Sequence, residues 1–357
     1  MINKFEEIPE YIEKSFEKYQ NVVLFFCDAL GWKFFKKGHK IISQLPSTTV
    51  VHVTSILTGK PLAEHAMPEW EYYDKEADNL IKPLYFSYAK DRTRNTLKIK
   101  PEKIFEKGQW ATKMRKNGIV PWIIQNKDYC FSYFTNIVGY DFNKVPIENE
   151  LLVGFESVNK ILKENTSNKN YIYFYYDKLD TALHRYGCKS REVKNEIKLI
   201  KKSLKMFLEQ NLGYRKNTLF ILIADHGHID VDKTKTFYIN IKIPEIVDMV
   251  QKNNEGKKIF IGGSCRGAFL YIKPQYLNEA LKILKDKLKD IAEVYKSGDI
   301  IKLNKHTERI GNIYIRPYGN NTVWWYEKDC YEVIHKSYHG GCSKDEREIP
   351  FLTQELK

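Results

Sequence analysis

The sequence predicts an α/β layered fold with a mostly parallel central sheet flanked by helices. Three apolar runs, at residues 22–26, 171–176 and 219–224, carry the first half of that prediction. They are unbroken stretches of β-branched and aromatic residues, the composition of strands covered on both faces. Two amphipathic stripes carry the second half. Val193, Ile197, Ile200, Leu204 and Phe207 recur at spacings of three and four, and Leu277, Leu281, Leu284, Leu288 and Ile291 do the same, as the buried face of a helix requires. Strand followed by helix, repeated along the chain, packs as layers.

The other elements come in chain order. Phe5, Ile8, Ile12 and Phe16 form the stripe of an N-terminal amphipathic helix. The stretches near 67–127 and 304–336 are irregular and rich in aromatic and charged residues, and read as small lid insertions. Within the second, residues 311–315 and 322–326 read as a hairpin around Gly319-Asn320-Asn321. At 357 residues the chain is one large domain or two modest ones. No linker rich in Pro, Gly or Ser divides it, so residues 1–357 read as a single domain.

Composition excludes several classes. A chain that is 43% hydrophobic and 29% charged is globular rather than disordered. It contains no apolar run of the roughly 18 residues that a transmembrane helix needs. Its first residues lack the basic-then-apolar plan of a signal peptide. Six cysteines are scattered without a C-x-x-C pair. A cytoplasmic protein without membrane association is the expectation. The net charge of +13 has two readings, attraction of an anionic partner or plain decoration of the surface with lysine.

The chemistry lies where the strands end. In open α/β sheets the ligand crevice lies beyond the carboxyl ends of the strands. Asp28, Asp180 and Asp225 each come after an apolar run, so they would converge there. Any one of them alone reads as a helix cap. Together, with histidine close to two of them, they read as metal ligands. Asp180 and His184 stand one helical turn apart, and Asp225-His226 pairs two ligand types at a strand end. Mixed Asp and His donors suit zinc or manganese rather than calcium. In Pro46-Ser47-Thr48-Thr49 the hydroxyls either cap a helix or include a nucleophile at an anion-favouring helix N-terminus. His339, followed by Gly340-Gly341, is either a surface histidine or the third ligand that completes an Asp180/His184 site.

These elements resemble the alkaline phosphatase superfamily and, within it, a microbial branch of the type I phosphodiesterase/nucleotide pyrophosphatase family. The resemblance rests on Asp28, Pro46-Ser47-Thr48-Thr49, Thr58-Gly59, Glu64-His65, Asp180-x-x-x-His184, Asp225-His226-Gly227 and His339-Gly340-Gly341, in that order. It implies an alkaline-phosphatase-like catalytic domain and two divalent metal ions, Zn2+ foremost with Mn2+ as the alternative. One ion would be held by Asp180, His184 and His339. The other would be held by Asp28, Asp225, His226 and Thr49, with Thr49 the nucleophile. Animal relatives carry an asparagine where this chain has Trp70. Trp70 is therefore a candidate to stack on a flat substituent of the substrate, or else packs within a lid. His228, just past the triplet, either supports the metal ligands from behind or is simply a loop histidine, and the second reading is preferred.

The implied activity is hydrolysis of phosphate diesters or nucleotide pyrophosphate bonds through a phospho-threonine intermediate. The implied partner is a small anionic phosphoester or nucleotide, with nucleic acid as a substrate at most. A phosphomonoesterase on the same scaffold is the alternative. The threonine at the nucleophile position disfavours an arylsulfatase and a phosphoglycerate mutase. A dedicated nucleic-acid-binding module is disfavoured because no helix-turn-helix, zinc-finger or RRM signature is present.

Overall fold

The computed structural model describes residues 2–357. Its centre is a seven-stranded sheet: β1 (Asn21–Cys27), β2 (His39–Ile42), β3 (Ile119–Asn126), β4 (Asn143–Ile147), β5 (Lys169–Tyr176), β6 (Thr218–Ile223) and β7 (Glu348–Leu356). The spatial order is β2-β7-β6-β1-β5-β3-β4. From β6 through β4 every pairing is parallel, whereas β7 runs antiparallel to both β6 and β2. The three predicted apolar runs are the central neighbours β6, β1 and β5. Every residue of β1 and β6 is buried, which is why these runs carry no polar alternation.

Helices cover the sheet, α1 (Ile8–Ser15), α2 (Thr49–Thr58), α3 (Trp110–Lys116), α4 (Leu151–Glu164), α5 (Lys178–Tyr186) and α6 (Arg191–Glu209), and α7 (Leu277–Leu288) lies apart from it. The predicted stripes of α6 and α7 fall on helices as expected, although Ile291 lies beyond the end of α7. At the N-terminus, Phe5 sits in a single 3-10 turn ahead of α1, and Phe5, Ile8, Ile12 and Phe16 are all buried. No helix among the described residues is long and apolar enough to cross a membrane.

A second apolar core forms around a four-stranded sheet of Ile261–Ser264, Gly267–Leu270, Ile313–Pro317 and Ala292–Lys296, with α7 packed against it. Two expectations are corrected here. The stretch 67–127 is not wholly an insertion: it ends in β3, which pairs with β5 inside the central sheet. The predicted hairpin at 311–326 does not form. Ile313–Pro317 pairs instead with Gly267–Leu270 and Ala292–Lys296, and Val323–Trp324 pairs with Phe237–Tyr238. The distant partners bury both apolar runs in the second core, which a two-stranded ribbon would leave half exposed.

The helix that carries Thr49 is anchored by a buried histidine. His52, one turn into α2, donates from Nδ1 to the Thr48 carbonyl (2.7 Å) and accepts at Nε2 from the Gln44 amide (2.9 Å). Burial pushes its pKa down from 6.5 to about 4. The folded protein therefore keeps His52 neutral where the unfolded chain takes up a proton. The stability this supplies is complete above pH 6.5 and is lost as pH falls towards 4. We predict that His52→Leu lowers stability by about 1–3 kcal/mol, because two buried polar groups lose their partner. Its loss of stability over that acid range should also be shallower than in the parent, as measured by denaturant unfolding at stepped pH. An unchanged acid slope would contradict this assignment.

Candidate metal and phosphoester site

The parallel strands deliver their carboxyl ends to one crevice. β1 ends at Cys27, and Asp28 comes next, buried, with its amide still bonded to the Tyr176 carbonyl of β5 (2.9 Å). β6 ends at Ile223, and beyond it Asp225 and His226 are both fully buried. The amides of Ala29 (3.0 Å) and His226 (2.9 Å) both donate to Asp225 Oδ1, which fixes that carboxylate between the two strand ends. Asp180 is not itself at a strand end: it lies in the first turn of α5, one turn ahead of His184.

Close contact between loops holds this geometry. A Cβ on Gly227 would lie 2.2 Å from the Asp345 carbonyl oxygen, and one on Gly31 would lie 2.6 Å from Gly227 Cα. The glycine of Asp225-His226-Gly227 is therefore required by packing. Gly340, at φ +106, lets the chain turn directly after His339. That turn is latched to the threonine loop: Ser47 Oγ donates to the Gly341 carbonyl (2.8 Å) and accepts from the Gly340 amide (3.2 Å). Glu346 accepts from the Gly341 amide (3.0 Å) and pairs with Arg266 through two bonds of 3.0 Å, in full burial.

Thr49 is the first residue of α2, and its Oγ1 lies 3.4 Å from Asp28 Oδ2 and 3.2 Å from His226 Nε2. His226 Nε2 in turn lies 3.5 Å from Asp28 Oδ1 and 3.3 Å from Asp225 Oδ2. Neither of those carboxylate oxygens has a hydrogen-bond partner, although both are buried. The Tyr175 hydroxyl satisfies the other oxygen of Asp28. Asp180 Oδ1 faces His184 Nε2 at 3.6 Å and His339 Nε2 at 3.9 Å. The structure thus brings Asp28, Thr49, Asp180, His184, Asp225, His226 and His339 together.

Proton placement defines what this cluster can bind. The Nδ1 atoms of His184, His226 and His339 face the backbone carbonyls of Ser337 (2.9 Å), Gly227 (3.2 Å) and Ser47 (2.9 Å). Each ring therefore carries its proton on Nδ1 and turns an Nε2 lone pair into the site. Burial, the largest cause, holds His226 and His339 well below the usual histidine range. Burial, and then the charges of Asp225 and Asp180, push Asp28 well up, and burial also raises Asp225. Lone pairs and unpartnered carboxylate oxygens converge without enough protons to link them. This donor set fits divalent cations of the zinc or manganese type. Donor atoms of Asp28, Asp180 and His226 lie within 4.8 Å of one another, as do those of a second group that contains Asp180, His184 and His339.

That second group corrects the reading of His228. It does lie in the loop after β6, but it is fully buried there, and its Nε2 lies 2.7 Å from Asp180 Oδ1. Residues past Gly227 turn back beneath Asp180 because Ile229–Asp230 pairs with Ser337–Tyr338. Sequence reasoning also missed Tyr175 and His335, and the latch that Ser47 makes to the His339 turn. The His335 ring lies 4.8 Å from that of His184, and burial brings its pKa down to about 4. A second imidazole two residues after His226 was the one available signal for His228.

Two cavities open on Thr49, and Trp70 and Asp180 border both. One, of about 230 Å³, is walled by Tyr85, Tyr129, Phe134 and Tyr175, with Arg94 at its side. The other, of about 360 Å³, is walled by Glu69, Trp324, Tyr331, His335 and Tyr338. Trp70 packs edge-on against Tyr85 (ring centroids 5.1 Å apart, 74°) and so forms part of the partition between them.

Known proteins share this architecture. No curated protein sequence matches the chain. Murine ectonucleotide pyrophosphatase/phosphodiesterase 5, solved as an inactive variant in complex with AMP, is 14% identical, with a TM-score of 0.69 over 93% of this chain and 87% of that one. The human counterpart is 16% identical, with a TM-score of 0.67 over the same shares, 93% and 87%. Phosphonoacetate hydrolase from Sinorhizobium meliloti, in complex with phosphonoformate, is 15% identical, with a TM-score of 0.64 over 94% of this chain and 90% of that one. At these identities the likeness establishes the fold, and the family is given by the sequence profile described as type I phosphodiesterase / nucleotide pyrophosphatase, which matches residues 33–341. The chain belongs to that family, within the alkaline phosphatase superfamily, and is a phosphoester hydrolase.

Proposed function

We propose that the protein hydrolyses phosphate diesters or nucleotide pyrophosphate bonds through a phospho-threonine intermediate on Thr49, at a site holding two divalent cations. The observation that carries this reading is the position of Thr49 Oγ1, at a helix N-terminus and 3.2 Å from His226 Nε2, beside the unpartnered oxygens of Asp28 and Asp225. Asp180, His184 and His339 would hold one cation; Asp28, Asp225, His226 and Thr49 would hold the other. Zinc suits these donors best, with manganese as the alternative. Bound cations would supply the positive charge that offsets the phosphoryl oxygens and that an aliphatic hydroxyl needs to ionise near neutral pH.

The chain's own residues do the rest. Unpaired amides in the first turn of α2 face the phosphoryl group and favour its negative charge. Thr49 Oγ1 forms a bond to phosphorus as the bond to the leaving oxygen breaks, and water then cleaves the phospho-threonine to restore the hydroxyl. His226 and His339, kept neutral by burial, serve as ligands rather than proton carriers. The two cavities beside Thr49 favour a diester, since each can take one substituent on phosphorus. The AMP bound to the murine relative supports a nucleotide as one such substituent. Six unpaired cysteines suit a reducing compartment, and a cytoplasmic location belongs to the same reading.

The expected outcome is release of p-nitrophenol from bis-p-nitrophenyl phosphate, abolished by a chelator and restored by Zn2+ or Mn2+. Thr49→Ala should lower kcat by about a thousandfold or more. Undiminished turnover in that variant, or in metal-stripped protein, would overturn the reading. Faster turnover of p-nitrophenyl phosphate than of the diester would put the phosphomonoesterase in its place. Trp70→Ala should reduce kcat/KM for the diester by about 2–10-fold, the value of one aromatic contact. An unchanged value would leave Trp70 with packing against Tyr85 alone.

A further inference from the structure

One buried imidazole at the cation site has no role in the proposed function. His228 Nε2 lies 2.7 Å from Asp180 Oδ1, nearer than His184 at 3.6 Å or His339 at 3.9 Å. One donor atom from each of Asp180, His184, His228 and His339 lies within 4.8 Å of all the others. We propose that His228 is a fourth protein ligand of the cation assigned to Asp180, His184 and His339. This inference rests on the two-cation reading of the site.

A single proton decides the role of His228. The Ser337 hydroxyl donates to the Leu183 carbonyl at 2.7 Å. Its Oγ also lies 3.0 Å from His228 Nδ1. A hydroxyl has one hydrogen, so Oγ accepts in this second contact and Nδ1 carries the imidazole proton. Nε2 is then a bare lone pair, set 2.7 Å from a carboxylate oxygen. Two acceptors at that separation repel, and a cation bound to both removes the conflict. Ser337 thus places its carbonyl against His184 and its hydroxyl against His228, and turns both Nε2 atoms towards Asp180.

The assignment makes the two cation sites chemically unlike. The site around Asp180 would present three imidazoles and one carboxylate. The site around Thr49 would present one imidazole, two carboxylates and a hydroxyl. Nitrogen-rich donor sets favour zinc and cobalt, whereas oxygen-rich sets accept manganese and magnesium. Zinc selectivity should therefore reside at the Asp180 site and depend on His228.

Proton NMR of the Co2+-loaded protein tests this without relying on turnover. An imidazole bound to cobalt through Nε2 gives one strongly shifted, solvent-exchangeable Nδ1–H resonance. Four are expected, from His184, His226, His228 and His339. His228→Met should lose one of them and weaken Zn2+ retention against a competing chelator by about tenfold or more. Three resonances in the parent protein, unchanged in His228→Met, would overturn the proposal and make His228 a residue that orients Asp180 by donating from Nε2. If His228→Met fails to fold, the count in the parent protein decides alone. Failure to retain cobalt, with no shifted resonances, would overturn the two-cation reading itself.

Discussion

Three carboxylates and four buried or half-buried imidazoles crowd the crevice beyond β1 and β6, and too few protons are available to join them. Asp28 Oδ1 and Asp225 Oδ2 are buried and unpartnered. His184, His226 and His339 each have Nδ1 against a backbone carbonyl, so none can donate from Nε2. Burial alone would resolve the conflict by protonating carboxylates, and the raised values of Asp28 and Asp225 record that pressure. Bound cations would resolve it without that change, because each would replace several repulsions with ligand bonds. Much of the surrounding structure can be understood as the means of keeping these acceptors from moving apart.

That restraint is mostly backbone. Asp28 and Asp225 sit at the ends of adjacent parallel strands, so the sheet itself sets their separation. Ala29 and His226 amides hold Asp225 from both sides. Gly31 and Gly227 allow two loops to touch at distances no side chain would permit. The His339 turn is tied to Ser47 on one side and to Glu346 on the other, and Glu346 is held by a fully buried pair with Arg266. Arg266 precedes a strand of the second sheet, so that sheet helps to position a residue of the main site. A buried pair of this kind costs about 3–5 kcal/mol to break from one side, which makes the turn stiff.

The chain's own order of residues reveals much of this. Unbroken apolar runs identified β1, β5 and β6, because strands covered on both faces carry apolar residues at nearly every position. Strand-end aspartates and the Asp-x-x-x-His spacing identified groups that the fold does bring together. What escaped was non-local. The strand Ile313–Pro317 pairs with partners some 20 and 45 residues back along the chain, and local hairpin signals cannot report such pairings. His228 looked ordinary because its burial depends on Ser337–Tyr338, more than a hundred residues away. Tyr175 was legible as a strand residue, but its hydroxyl's role on Asp28 required knowing which strand lies beside β1.

The same geometry gives the net charge of +13 a narrower meaning. Lys198, Lys201, Lys202 and Lys205 are exposed on α6, and they do not line either cavity beside Thr49. The walls of those cavities carry Asp28, Asp177, Asp180, Glu69, Glu71 and Glu332, against Arg94. Apart from Arg94, such walls offer a phosphate no positive charge of their own, and bound cations would supply it. Surface lysines act over a Debye length of about 10 Å at 0.1 M salt, so they can raise the encounter rate with an anion and lose that effect as salt is added. Charges held at ligand distance inside a dry crevice are screened far less. Steering and chemistry are therefore separable: salt should act on the capture of the ester, whereas cations bound as proposed would act on bond making and breaking at phosphorus.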